Sequence, residues 1–196
     1  MRNDKQYIVD VELDVILAAR GMKVSYEKML YILSDGRAIS RFTEEYVCEV
    51  YGISPQNINH KGSDAVGALD TYYSIKTLTK GGVAVCLSSN IGKGRTCTEQ
   101  DVKTFIKGSA VHVFVDNTKL PVLSLMAVNS AELMDWPWNN AGKITYNLFY
   151  QQENIRNRER KPFVLGSRKA IEDEATPVAI INTDENNESV CARRIR

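Results

Sequence analysis

NINHKGSDAVGALDTYYSIKTLTKGG, residues 57–82, is the stretch on which the reading of this chain turns. It reads as a short strand, a turn within Ala68-Leu69-Asp70-Thr71, and a second strand. Asp64 sits on the first arm and Ser74-Ile75-Lys76-Thr77 on the second. Pairing outward from that turn sets Asp64 opposite Ile75 or Lys76, and residues facing each other across an antiparallel pair lie about 5 Å apart. Ser74 and Lys76 share a face, because side chains alternate along a strand. An acid on one strand beside an x-Lys pair on its neighbour is suited to holding a divalent metal next to a phosphate. Asp70 fits that role less well, since at about 3.3 Å per residue it lies roughly 15–20 Å along the ribbon from Lys76. The plainer alternative is an ordinary hairpin with a solvated Asp and Lys.

Upstream, apolar spacing predicts a helix from about Ile39 to Tyr51, stopped by Gly52 and Pro55. Ile39, Phe42, Tyr46, Val47 and Val50 fall on one face at about 100° per residue. Glu45 and Glu49 lie at one edge of that face, four apart and therefore neighbours, while Glu44 points away. Two further helices precede it. One runs over Val9–Ala19 and ends at Gly21; the other runs over Ser25–Leu33 with Ser25 as N-cap. Downstream, Val83–Ser88 continues or partners the hairpin. Asn90–Arg95 (NIGKGR) is a basic, glycine-rich loop that lacks the first glycine of a Walker A motif. Thr98 and Asp101 make a capping-box pattern for a helix to Lys107 whose stripe is Val102, Phe105 and Ile106. Ala110–Val115 and Pro121–Val128 read as strands, and strand, helix, strand in this order implies a crossover onto a parallel neighbour. His112, inside the first of them, reads as a core histidine.

The chain has 196 residues and a formal net charge of +1, so composition alone argues for one domain and for no blanket attraction to nucleic acid. Cys48, Cys86, Cys97 and Cys191 show no CxxC spacing, and with His60 and His112 they make no zinc signature. The N-terminus lacks an apolar signal-like stretch, and no run is long enough to span a bilayer. A reduced, cytoplasmic protein with no organic cofactor and no membrane attachment is the expectation. From Asn129 the texture changes. Asp135-Trp136-Pro137-Trp138-Asn139-Asn140 is aromatic and amide-rich, and Gln151–Lys169 is the main basic cluster. Asn and Gln read adenine edges, and Arg reads guanine or grips phosphate. The candidate DNA contacts are Lys80, Arg95, Asn139, Asn140, Arg156, Arg158 and Arg160. Thr176–Asn182 reads as a last strand and Asp184–Arg196 as a tail.

The order of helix with glutamate, strand, hairpin, strand, helix and strand resembles the core of the PD-(D/E)xK nucleases, the fold of many type II restriction endonucleases. Asp64 with Ser74-Ile75-Lys76 looks like that family's D…(D/E)xK motif. Cys48-Glu49-Val50-Tyr51-Gly52-Ile53 is similar to the glutamate-then-glycine helix end of monomeric restriction enzymes and of the mismatch-repair nicking endonuclease. The resemblance covers roughly Ile39–Val115. It implies an α/β restriction-endonuclease-like core, a mixed central β-sheet flanked by helices, within a single nuclease domain over 1–196. Residues 1–36 would be an N-terminal helical part, 37–128 the catalytic core, 129–183 a DNA-recognition part and 184–196 the tail.

The implied activity is Mg²⁺-dependent, sequence-specific cleavage of double-stranded DNA. Asp64, the Ile75 carbonyl and Glu49, with Glu45 in reserve, would hold the metal; Lys76 would position or deprotonate the attacking water. Ser74 stands where the family usually has Glu or Asp. Some restriction enzymes of this fold also carry a serine there and take the second carboxylate from a neighbouring helix. A homodimer about a two-fold axis is common in the family. Three rival readings share these residues: a DNA-binding protein with a decayed nuclease core, a structure-selective or RNA-processing nuclease such as a junction resolvase, and an α/β interaction module.

Overall fold

The structure, a computed structural model, describes residues 7–56, 63–87 and 97–163. The chain opens with a strand, β1 (Tyr7–Glu12), and a short helix, α1 (Val15–Gly21), where apolar spacing suggests one helix over Val9–Ala19. Ile8, Val9 and Val11 are buried on a strand that is covered on both faces, which gives the same dense apolar run as a helix. Asp14 starts the helix by accepting the Leu17 N–H at 2.8 Å. Next come α2 (Tyr26–Ser34), capped by Ser25 as its sequence predicts, and α3 (Gly36–Tyr51). Helix α3 begins three residues before Ile39. It ends where Gly52 turns to φ +62, with Ile53 N–H bonded to Cys48 O at 2.9 Å and Gly52 N–H to Glu49 O at 3.4 Å. This pair of bonds is a Schellman ending.

The strands β2 (Ser54–Pro55), β3 (Ala65–Val66) and β4 (Tyr72–Leu78) follow, with a single helical turn at Ala68–Asp70 between β3 and β4. After β5 (Val83–Ala84) come α4 (Glu99–Lys107), β6 (Val111–Lys119) and β7 (Val122–Asn129). The described chain closes with α5 (Ser130–Leu133), β8 (Lys143–Ile144), α6 (Tyr146–Gln151), α7 (Glu153–Arg156) and β9 (Glu159–Pro162). Seven strands make one mixed sheet in the order β2-β3-β4-β6-β7-β1-β9. The predicted crossover is present: α4 carries the chain to β6, which runs parallel to β4 with Ser74 beside His112 and Lys76 beside Phe114. Strand β5 is not part of that sheet. It pairs with β8, where Gly82 (φ +94) brings the backbone so close that a Cβ would lie 2.2 Å from Ile144 O.

Alternation along the central strands divides the core in two. Val111, Val113, Val115, Tyr73 and Ile75 pack with Ile39, Val47, Val50 and Met29 of α2 and α3 on one face. Phe114, Met126, Val128 and Leu78 pack with Val102, Phe105 and Ile106 of α4, and with Leu133, Trp136, Phe149 and Ile155, on the other. Each side chain of this size contributes about 1.5–3 kcal/mol on full burial. The result is a mixed α/β fold whose central sheet is flanked by helices on both faces. Among the described residues no helix is long and apolar enough to cross a membrane.

Candidate functional site: the β3–β4 arm and its helix carboxylate

Strand β3 is only two residues long, and its register is Ala65 with Tyr73 and Val66 with Tyr72. Continued outward, this sets Asp64 opposite Ser74, one or two residues short of the expected Ile75 or Lys76. The turn explains the shift: Gly67 N–H bonds to Thr71 O at 2.8 Å, leaving a three-residue tip over Ala68–Asp70. Asp64 is fixed from both sides, its N–H donating to Tyr73 O at 2.8 Å and its carbonyl accepting from Gln56 N–H at 3.0 Å.

The Asp64 carboxylate gathers the Ser74-Ile75-Lys76 tripeptide. Its Oδ2 accepts the Ile75 N–H at 2.6 Å, the Ser74 hydroxyl at 3.3 Å and the Lys76 ammonium at 3.4 Å. Among the described residues Oδ1 accepts no hydrogen bond, so one oxygen of the carboxylate stays available. The Ile75 side chain enters the α3-facing core while its N–H leaves toward β3; its carbonyl projects from that same strand edge. Ser74 is buried, whereas Lys76 and Asp64 keep 26% and 29% of their side chains exposed, so the pair meets solvent at its outer end. The Lys76 ammonium also stands 5.4 Å from the centre of the Phe105 ring, which fixes the direction of its stem.

The α3 carboxylate on which the charge of Asp64 acts is Glu44. Burial first, and then the charge of Asp64, raise its carboxyl above the ordinary carboxylate range; Arg41, bonded to it at 3.0 Å, and Lys76 pull the other way. Glu45 and Glu49 are exposed on the opposite flank of the helix. The expectation that Glu44 points away rests on taking Phe42 into the core, and Phe42 is 43% exposed, its ring tilted against Tyr46 with centres 4.7 Å apart. The buried arc of α3 runs instead through Ile39, Thr43, Val47 and Val50 to Cys48, and Glu44 lies four residues before Cys48 at its margin. A face drawn from Cys48 rather than Phe42 was the sequence signal that marks Glu44.

His112 lies beneath the arm, beside Ser74 and fully buried. Its Nε2 faces Ile106 O at 3.0 Å, which makes Nε2–H the donor, and its Nδ1 has no partner among the described residues. Burial, and to a lesser degree Lys76, hold its pKa down to about 4, against the Ile106 carbonyl and Asp64, which favour the charged ring. The ring is therefore neutral at physiological pH, as expected of a core histidine.

Among the described residues no group of three or more His, Cys, Asp or Glu stands close enough together to hold a metal ion. The oxygen donors on offer are Asp64, Glu44 and the Ile75 carbonyl. A carboxylate whose ionisation is opposed by the charge of Asp64 suits a hard cation, and Mg²⁺ is commonly held by one or two carboxylates with water and substrate phosphate completing its shell.

Three of the seven expected DNA contacts are engaged within the fold. Arg158 is buried to 2% of its side chain, with Nη1 on Ala127 O at 2.7 Å, Nε on Asn154 O at 2.9 Å and Nη2 3.7 Å from Glu132. Arg160 bonds both oxygens of Asp10 at 2.8 and 3.0 Å and the Ser124 hydroxyl at 3.0 Å. Asn139 folds its own loop, its side-chain oxygen accepting from Ala141 and Lys143 N–H at 3.0 and 3.1 Å. Trp136 is a core residue packed on Phe114 and Phe149, not a stacking platform. Lys80, Asn140 and Arg156 are exposed. Lys80 lies four residues beyond Lys76, about 13 Å along the chain. Arg95, the NIGKGR loop, the Thr176–Asn182 strand and the tail lie outside the described residues. Compared with known proteins, the chain matches no family model, no curated protein and no solved structure.

Proposed function

We propose that this chain is a Mg²⁺-dependent endonuclease of double-stranded DNA, with a restriction-endonuclease-like core of the PD-(D/E)xK type. The observation that carries the reading is the Asp64 carboxylate bound to Ser74, Ile75 and Lys76 in succession, with Glu44 of α3 beside it. Glu44 replaces Glu49 and Glu45 as the second carboxylate, which is the substitution that a serine in the (D/E)xK position calls for.

Asp64 and Glu44 would hold the metal, with the Ile75 carbonyl as a third oxygen. The chemistry a bound Mg²⁺ supplies is neutralisation of the scissile phosphate and a lowered pKa for its water. The protein's own groups do the rest. Ser74 and the Ile75 N–H hold Oδ2 of Asp64 and so aim Oδ1 outward. Lys76, steered by Asp64 and Phe105, places its ammonium where it orients the attacking water and meets the charge that develops on the phosphate. With Arg158, Arg160 and Asn139 engaged in the fold, Lys80, Asn140 and Arg156 remain as the exposed groups for backbone and base contact.

The test is plasmid cleavage with and without Mg²⁺, using the wild type and Asp64→Ala, Lys76→Ala, Glu44→Gln and Glu45→Gln. Asp64→Ala, Lys76→Ala and Glu44→Gln should each lose about 10²–10³-fold or more in rate, and Glu45→Gln should cut normally. A Lys76→Ala or Glu44→Gln protein cutting at the wild-type rate would sink the assignment. Salt-sensitive DNA binding without cutting would favour an inactive core, with Ser74→Glu as the variant to make next.

A further inference from the structure

Two cysteines are brought together beside the β5–β8 ribbon. Cys86 directly follows Val85, whose N–H bonds to Gly142 O at 2.8 Å. Cys97 packs on the same Gly142, where a Cβ would meet Cys97 Cβ at 2.9 Å and Sγ at 3.1 Å. The Cys97 N–H is tied to Asn140 O at 3.2 Å. One loop, residues 139–142, thus anchors both cysteines, and their thiols are close enough to hydrogen-bond. Cys86 is buried and Cys97 is half-buried; Cys48 belongs to the other core, packed among the α3 residues.

We infer that Cys86 and Cys97 form a redox-active dithiol, a site for small disulfide oxidants, and that oxidation joins them. This stands apart from the nuclease reading. The more exposed Cys97 attacks first: its thiolate displaces one thiolate from the oxidant RSSR and forms a Cys97–S–S–R mixed disulfide. The Cys86 thiolate then attacks the Cys97 sulfur and expels the second R–S⁻. Two protein thiols are oxidised, one RSSR is reduced to two RSH, and the two thiol protons pass to the leaving thiolates.

The order of events follows from the surroundings. Burial, the hydrogen bond and charge of Cys97, and Asp101 push the Cys86 thiol up to about 12, while Lys76 draws it down. Cys86 is therefore a poor first nucleophile. Once Cys97 is capped, its hydrogen bond and its charge no longer oppose ionisation of Cys86, and Lys76 still favours it. The first step activates the second.

The experiment treats the full-length chain with oxidised glutathione, blocks free thiols with iodoacetamide, and digests with trypsin for mass spectrometry. Cleavage at Lys93 and Arg95 separates the Cys86 peptide, Gly81–Lys93, from the Cys97 peptide, Thr96–Lys103. The expected result is these two peptides joined, with the thiol count in denaturant falling from the four of the sequence by two. Cys86→Ser should stop at the glutathione adduct on Cys97, and Cys97→Ser should leave Cys86 unmodified over the same period. Links that involve Cys48 or Cys191 in place of this pair, or a stable wild-type adduct on Cys97 with Cys86 still free, would overturn the proposal. The wild-type digest separates these outcomes by itself, whatever the serine variants do to folding.

Discussion

Acid should destabilise this protein through His112, and the size of the effect follows from where the ring sits. The ring is fully buried between Phe105 and Phe114, donates through Nε2 to Ile106 O, and has its pKa lowered from 6.5 to about 4. A histidine with a depressed folded pKa is stabilising while neutral. That stability is fully present above the unfolded value, about 6.5, and is lost as pH falls toward 4, because only the unfolded chain then binds the proton. A gap of about 2.5 units corresponds to roughly 3 kcal/mol at 1.36 kcal/mol per unit. That is a large share of the stability of a domain of this size. The comparison is wild type against His112→Gln, whose amide nitrogen can still reach the Ile106 carbonyl but does not titrate. Urea unfolding from about pH 7 to about pH 4 should show the wild type losing roughly 3 kcal/mol more than the variant. Every group other than residue 112 is common to both proteins and cancels in the difference. Glu44, raised above its usual range, acts with the opposite sign, since its protonated form is the one the fold prefers, and it too is common to both. Two stability curves that stay parallel to within about 0.5 kcal/mol would show that the ring accepts a proton inside the fold, and the reasoning from burial would fail.

Other perturbations test other parts of the fold. Arg158→Ala should cost about 3–5 kcal/mol in urea unfolding, because it strips the part-buried Ala127 and Asn154 carbonyls and Glu132 of their partner, yet leave DNA affinity unchanged per folded molecule. An Arg158→Ala protein of normal stability that has lost DNA binding would reverse that placement. Gly82→Ala should lower stability by about 3 kcal/mol or more, since its Cβ would overlap Ile144 O at a positive φ; a thermal shift assay gives the result directly. Thr98→Ala removes one half of the capping box of α4, in which Thr98 Oγ1 accepts Asp101 N–H at 3.1 Å and Asp101 Oδ2 accepts Thr98 N–H at 2.9 Å. It should cost about 1 kcal/mol by chemical denaturation, and a neutral result would mean the first turn of α4 is held by packing alone.

Much of this molecule was legible before folding because the signals were local. The Ser25 cap of α2, the Thr98–Asp101 box of α4, the strand runs around His112 and Leu125, and the parallel crossover between β4 and β6 all follow from residues a few positions apart, or from the chirality of a short connection. The pairing of Asp64 with the Ser74–Lys76 arm was legible too, to within one or two residues, because a hairpin is itself a local object. What was not legible depended on which elements cover which. A strand buried on both faces carries the same apolar density as a helix, so only the flanking β7 and β9 made Tyr7–Glu12 a strand. The carboxylate facing Asp64 depended on the rotation of α3 about its own axis, a choice made by how Val47 and Cys48 pack on the sheet rather than by any pattern within the helix. Charge was the least readable feature of all. Arg158 and Arg160 look identical to solvated arginines in sequence. Only the tertiary structure buries the first against the Ala127 and Asn154 carbonyls, because a buried cation needs partners, and sets the second, still exposed, on Asp10, some 150 residues away along the chain.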